Sequence, residues 1–113
     1  MGSDIPTLDI DQSKVLREIL GADLDELIAD LFTRVPVALD EIEAAIKHAD
    51  AAALFHTCHM LKSSSGNMGF AKFSSICEIL ENQGRNEALD NPASYLSALR
   101  SEFDNMQAIK AEI

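Results

Sequence analysis

The chain has 113 residues, 47% of them hydrophobic, which suits one domain built round a single modest core. Its formal net charge of −10 excludes a general nucleic-acid binder, which needs a basic face to displace counterions from phosphates. An anionic membrane surface is disfavoured for the same reason. Aromatic residues make up only 5% and Trp is absent, while Ala and Leu are plentiful, so helices are expected over sheets.

No apolar run approaches the length of a membrane span, and the N-terminus lacks the basic-then-apolar pattern of a signal peptide. A cytoplasmic protein is expected. Met1, Gly2 and Ser3 read as a cloning remnant, and residues 1–113 as one domain. Cys58 and Cys77 make no disulfide framework; both fall on apolar helix faces and read as buried thiols.

In chain order, Asp9 or Asp11 can cap a short first helix running to about Leu20, with Gly21 as its stop. A long second helix is predicted from Asp23 to His48. Leu24, Leu27, Leu31, Val35, Ala38, Ile42, Ala45 and Ala49 trace one face of it in steps of three and four. Pro36 removes one amide donor and crowds the carbonyl of Phe32, but the stripe keeps its phase, so a kink is expected rather than a break. His48 reads as a partner for the helix C-terminus.

Asp50 can cap a third helix that reaches Met68, with Gly69 ending it in a left-handed conformation. A fourth spans about Phe70 to Gln83, with Phe73, Ile76, Cys77 and Leu80 inward and Gly84 as the stop. Asn91 and Pro92 mark the cap and first turn of the last helix, whose inner side carries Leu96, Leu99, Phe103, Met106 and Ile113. Short connections between amphipathic helices imply an all-α, antiparallel up-down four-helix bundle with a short additional N-terminal helix.

The third helix holds the chemistry. At about 100° per residue, Leu54, Cys58, Leu61, Ser65 and Met68 fall in a band roughly 80° wide, the core stripe. His59 lies about 120° from the centre of that band, anchored yet reachable, and His56 about 180° away. Lys62 stands one turn on from His59, and Ser63 and Gly66 are small enough to let another molecule approach. A lone surface histidine is usually just that. Here an ammonium beside the imidazole could pair with an anion arriving at the ring. Residues 51–77 contain no Asp or Glu although the chain has 19, which spares a phosphoryl group from repulsion; a buried central helix also needs few charges.

The segment from His59 to Gly69, HMLKSSSGNMG, resembles the signature of the histidine-containing phosphotransfer (HPt) domain of two-component phosphorelays: His-x-Leu-Lys-Gly, small residues, then Gly and a small residue. ICEILE, Ile76 to Glu81, is similar to the family's Leu-Cys-x-x-Leu-Glu segment, and AAIKHADAAALFH fits as well. The resemblance implies that His59 accepts the phosphoryl group and Lys62 steadies it. It implies that Gly69 is the turn glycine and that Glu81 faces the histidine from the fourth helix. Ser63 departs from the family's usual glycine and Phe70 from its frequent alanine.

With no glycine-rich nucleotide loop, the chain is expected to be a phosphorelay intermediate without kinase activity and with no cofactor of its own. Its expected partners are a response-regulator receiver domain, which brings magnesium and most of the catalytic groups, and a hybrid sensor histidine kinase. A monomer is expected. The rival readings are a helical adaptor without phosphotransfer and a metal site of His56, Cys58 and His59. Cys58 projects about 100° from His59, which argues against the metal site.

Overall fold

Each helix in the computed structural model, which describes residues 4–113, begins and ends where local chemistry dictates. Helix α1 spans Ile10–Leu20, and Asp9 is its cap, the side chain accepting the Gln12 amide proton at 3.1 Å. Gly21, at φ +55°, ends it. Helix α2 spans Asp23–Lys47 and runs unbroken through Pro36. It has no side-chain cap, but Asp23, Asp25 and Glu26 in its first turn complement the helix dipole. At its other end the His48 Nδ1–H donates to the Ala44 carbonyl at 2.8 Å, the role foreseen for it.

Helix α3 spans Ala51–Asn67 and is capped by Asp50, whose side chain accepts from the Ala53 amide. It closes in a Schellman turn: Phe70 N–H donates to Ser65 O and Gly69 N–H to Gly66 O, with Gly69 at φ +91°. Helices α4, Ala71–Arg85, and α5, Pro92–Ile109, complete the bundle, and a single 3-10 turn follows at Lys110–Glu112. No strand forms among the described residues, so the fold is the all-helical bundle with an extra N-terminal helix. The reading of residues 1–3 as a cloning remnant lies outside the described residues.

The core joins α2, α3, α4 and α5 through Leu31, Val35, Ile42, Leu54, Cys58, Phe70, Phe73, Cys77, Leu80, Leu99 and Met106. Phe32 bridges Phe70 and Phe103 at ring separations of 5.6 and 5.3 Å, edge-on or tilted as aromatic quadrupoles prefer. Burial pushes the Cys58 thiol up to about 12, with help from the nearby Glu81 charge, and lifts Cys77 well above its ordinary value. Neither supplies thiolate near neutrality, so both are inert packing groups.

Three expectations need correction. On α2 the buried face takes Ile28 and Leu39, while Leu27 is exposed and Ala38 only half-buried; Ala49, expected to continue that face, is exposed beyond the helix end at φ +50°. Both sets share the helical period; the neighbours at each ambiguous step differ by 100°, and the core took the pair with more volume in total. Asn91 precedes α5 in the left-handed region, φ +49°, and makes no side-chain cap; its carbonyl instead accepts from the Ser94 hydroxyl at 2.9 Å.

The third correction concerns Gly84, which lies inside α4 rather than ending it. A Cβ built there would stand 2.7 Å from the Phe55 nitrogen and 2.8 Å from the Ala51 oxygen. Only a hydrogen in that place lets α4 press its backbone against α3. Asn86 caps the helix and Glu87, at φ +51°, turns the chain.

Candidate functional site

The close approach at Gly84 sets what α3 and α4 can share. One turn before Gly84, Glu81 points from α4 into the seam and is wholly buried. From α3, His59 reaches it: Nδ1 lies 2.7 Å from Glu81 Oε2. The His59 side chain stays 53% exposed. The ring is therefore held at one nitrogen and open on its outer side.

Two cations converge on the same carboxylate. Arg85 Nη2 donates to Glu81 Oε2 at 2.9 Å, and its Nη1 donates to Asn82 Oδ1 at 2.8 Å. Lys62 Nζ stands 2.6 Å from Oε1. That last contact has the distance of an ion pair but lacks the alignment of a hydrogen bond. Burial pushes the Glu81 carboxyl up. The close contacts of Lys62 and His59 outweigh this and hold it below the usual carboxylate range.

This fixes the histidine's chemistry. An ionised carboxylate can only accept, so Nδ1 carries the proton and the lone pair of a neutral ring sits on Nε2. The ring also rests on Phe55, one turn back on α3, with centroids 5.6 Å apart and planes 16° from parallel. Arg85 lies over the same Phe55 ring at 5.3 Å.

The other sequence candidates fall as follows. Ser63 is exposed, on the outer surface one turn along from His59. Gly66 does not simply leave room for a visitor: a Cβ there would come within 3.0 Å of the Ser74 hydroxyl, which donates to Lys62 O at 2.9 Å. Its missing side chain serves the packing of α4 on α3. Gly69 is buried, and its carbonyl accepts from the Asp9 amide at 2.7 Å. His56 is exposed while Cys58 is fully buried, so the trio with His59 does not converge. Among the described residues no group of three His, Cys, Asp or Glu side chains is placed to hold a metal ion. Phe55 and Arg85 were missed by sequence reasoning. Each lies four residues from a residue already singled out, at His59 and Glu81, the spacing at which helical side chains meet.

Comparison with known proteins gives the family. A family model described as Hpt domain matches residues 26–109. The phosphorelay intermediate protein YPD1 of Candida albicans is 29% identical over 104 residues, covering 87% of this chain and 54% of that protein. The chain thus spans about half the length of that relative. The crystal structure of histidine-containing phosphotransfer protein B (HptB) from Pseudomonas aeruginosa PAO1 superposes with a TM-score of 0.89 at 26% identity, covering 95% of this chain and 93% of that one.

Proposed function

Since the chain belongs to the Hpt domain family, we propose that it is a phosphorelay intermediate that carries a phosphoryl group on His59 Nε2. The observation that carries this reading is the half-exposed ring tied through Nδ1 to a buried, ionised Glu81. The nucleophile is a neutral imidazole nitrogen, and the donor is the acyl phosphate of a receiver-domain aspartate. The Nε2 lone pair attacks phosphorus, the Nε2–P bond forms, and the P–O bond to the aspartyl carboxyl breaks. The electron pair leaves with the carboxylate, so no proton need move. The ring keeps its Nδ1 proton and gains positive charge, which the Glu81 carboxylate opposes at 2.7 Å. The reverse step, onto a second aspartate, restores the neutral ring.

Lys62 is the group suited to steady the phosphoryl. It is the less well aligned of the two cations on Glu81, and its side chain is 27% exposed, so it can turn outward when a dianion arrives. Ser63 and the exposed Met60 and Val37 flank the approach. Between α2 and α3 an apolar groove of about 250 Å³, lined by Val37, Met60 and Leu61, offers a receiver domain a low surface beside His59. Magnesium belongs on that receiver, because the single carboxylate here is already shared among Lys62, Arg85 and the His59 ring. No helix among the described residues is long and apolar enough to cross a membrane, in keeping with a cytoplasmic relay partner of a hybrid sensor kinase.

The test is transfer from a phosphorylated receiver. His59→Gln abolishes acid-labile phosphorylation while the thermal midpoint stays nearly unchanged; His56→Gln retains transfer. A dead His56 variant beside an active His59 variant would overturn the assignment.

A further inference from the structure

Resting on that reading, we propose that Phe55 is a positioning residue for phosphotransfer, a flat wall that sets the plane of the His59 ring. A single hydrogen bond at Nδ1 fixes one point of an imidazole but leaves it free to swing about that point. A nucleophile must also direct its lone pair along the line of attack, which demands a fixed plane. Phe55 supplies the second constraint. Its ring is offset-stacked on His59, at 5.6 Å and 16°.

Phe55 is itself well founded. Its backbone lies where α3 and α4 come closest, against Gly84. Its ring is covered by the Arg85 guanidinium at 5.3 Å, which is fixed in turn by Glu81 and Asn82. One carboxylate therefore holds His59 directly, and holds through Arg85 the aromatic surface on which His59 rests. The stack also favours the product, because a phosphorylated ring that keeps its Nδ1 proton is cationic and faces the electron-rich side of Phe55.

The experiment pairs single-turnover transfer from a phosphorylated receiver with the rate at which the His59 Nδ1 proton exchanges with water in the unphosphorylated protein. Phe55→Ala lowers the rate at saturating donor about tenfold, leaves the donor concentration for half-maximal rate unchanged, and speeds proton exchange by a similar factor. Phe55→Leu keeps apolar volume without a flat face and stays impaired. Phe55→Tyr keeps the flat ring and retains both readings; Phe55 lines an open groove with His56 and Arg85 that leaves room for a hydroxyl. Wild-type behaviour of Phe55→Leu, slowed transfer with unchanged proton exchange, or a defect confined to donor affinity would each overturn the proposal. Proton exchange is read without any donor, so this inference and the phosphotransfer reading fail separately.

Discussion

Two seams of the bundle are built differently. Where α4 meets α3, a glycine brings the backbones together, and His59, Lys62, Glu81, Arg85 and Phe55 gather within about two turns of that point. Where α5 meets α2, apolar side chains such as Leu39, Leu99 and Phe103 do the packing, and the visible polar link is Arg100 with Asp40 and Glu43 on the exposed surface. The first seam sacrifices side-chain volume to fix polar groups; the second fills volume and leaves its charges in water. Substitutions on the two sides should differ in kind as well as in size.

Gly84→Ala gives the largest effect on the fold. The added methyl has only backbone atoms of Ala51 and Phe55 to push against, so α4 must move. A loss of about 3 kcal/mol is expected despite alanine's better helix propensity, read as a drop in thermal midpoint of more than 10 °C or so. Transfer should fall with it even below the melting range, because Glu81 and Arg85 retreat from His59. A protein of unaltered midpoint would show that the seam yields and that the comparison is mistaken.

Glu81→Gln comes next and separates charge from shape. The amide can still accept from Nδ1–H but no longer attracts two cations or offsets the charge of the phosphorylated ring. Transfer slows about tenfold, the difference between a charged and a neutral hydrogen bond. The pH profile of stability changes too. The folded Glu81 carboxyl lies below its ordinary 4.5, so its contribution is complete above about that pH and is lost as pH falls through the lower folded value. Wild-type stability therefore declines on the acid side of pH 4.5, and the Gln variant declines less there. Denaturant titrations between neutrality and pH 3 or so check this; parallel profiles would contradict it.

Arg100→Ala is the control on the other seam. Both of its partners are exposed, and solvent-screened pairs of this kind contribute on the order of 0.5 kcal/mol. The thermal midpoint should hardly move and transfer should not change. A large loss would mean that the surface pair matters as much as the buried hub.

How much of this was legible in the sequence follows the same division. The helices, their order and most of their inner faces could be read, because apolar period and capping residues are local signals: Asp9, Asp50 and Gly69 act where the pattern placed them. The packing of one helix on another could not. A glycine near the end of a periodic run reads as a stop, and only the Phe55 and Ala51 backbones show that Gly84 is a contact. Gly66 misled in the same way, since Ser74 fills the space beside it. Leu27 and Ile28 could not be ranked while the neighbouring helices were unplaced. In the site, His59, Lys62 and Glu81 came from motif and spacing. Their convergence on one carboxylate required the fold, as did the parts taken by Arg85 and Phe55.

Glu81 holds the proton on Nδ1 and so leaves Nε2 to take the phosphoryl group; the whole proposed mechanism depends on this division. Nitrogen NMR of histidine-labelled protein, recorded before and after transfer from a phosphorylated receiver, reads both atoms at once. His59 should begin as the Nδ1–H tautomer and end with phosphorus on Nε2 and the proton still on Nδ1, while His48 and His56 are unchanged. Phosphorus on His59 Nδ1, or on either of the other histidines, would contradict it.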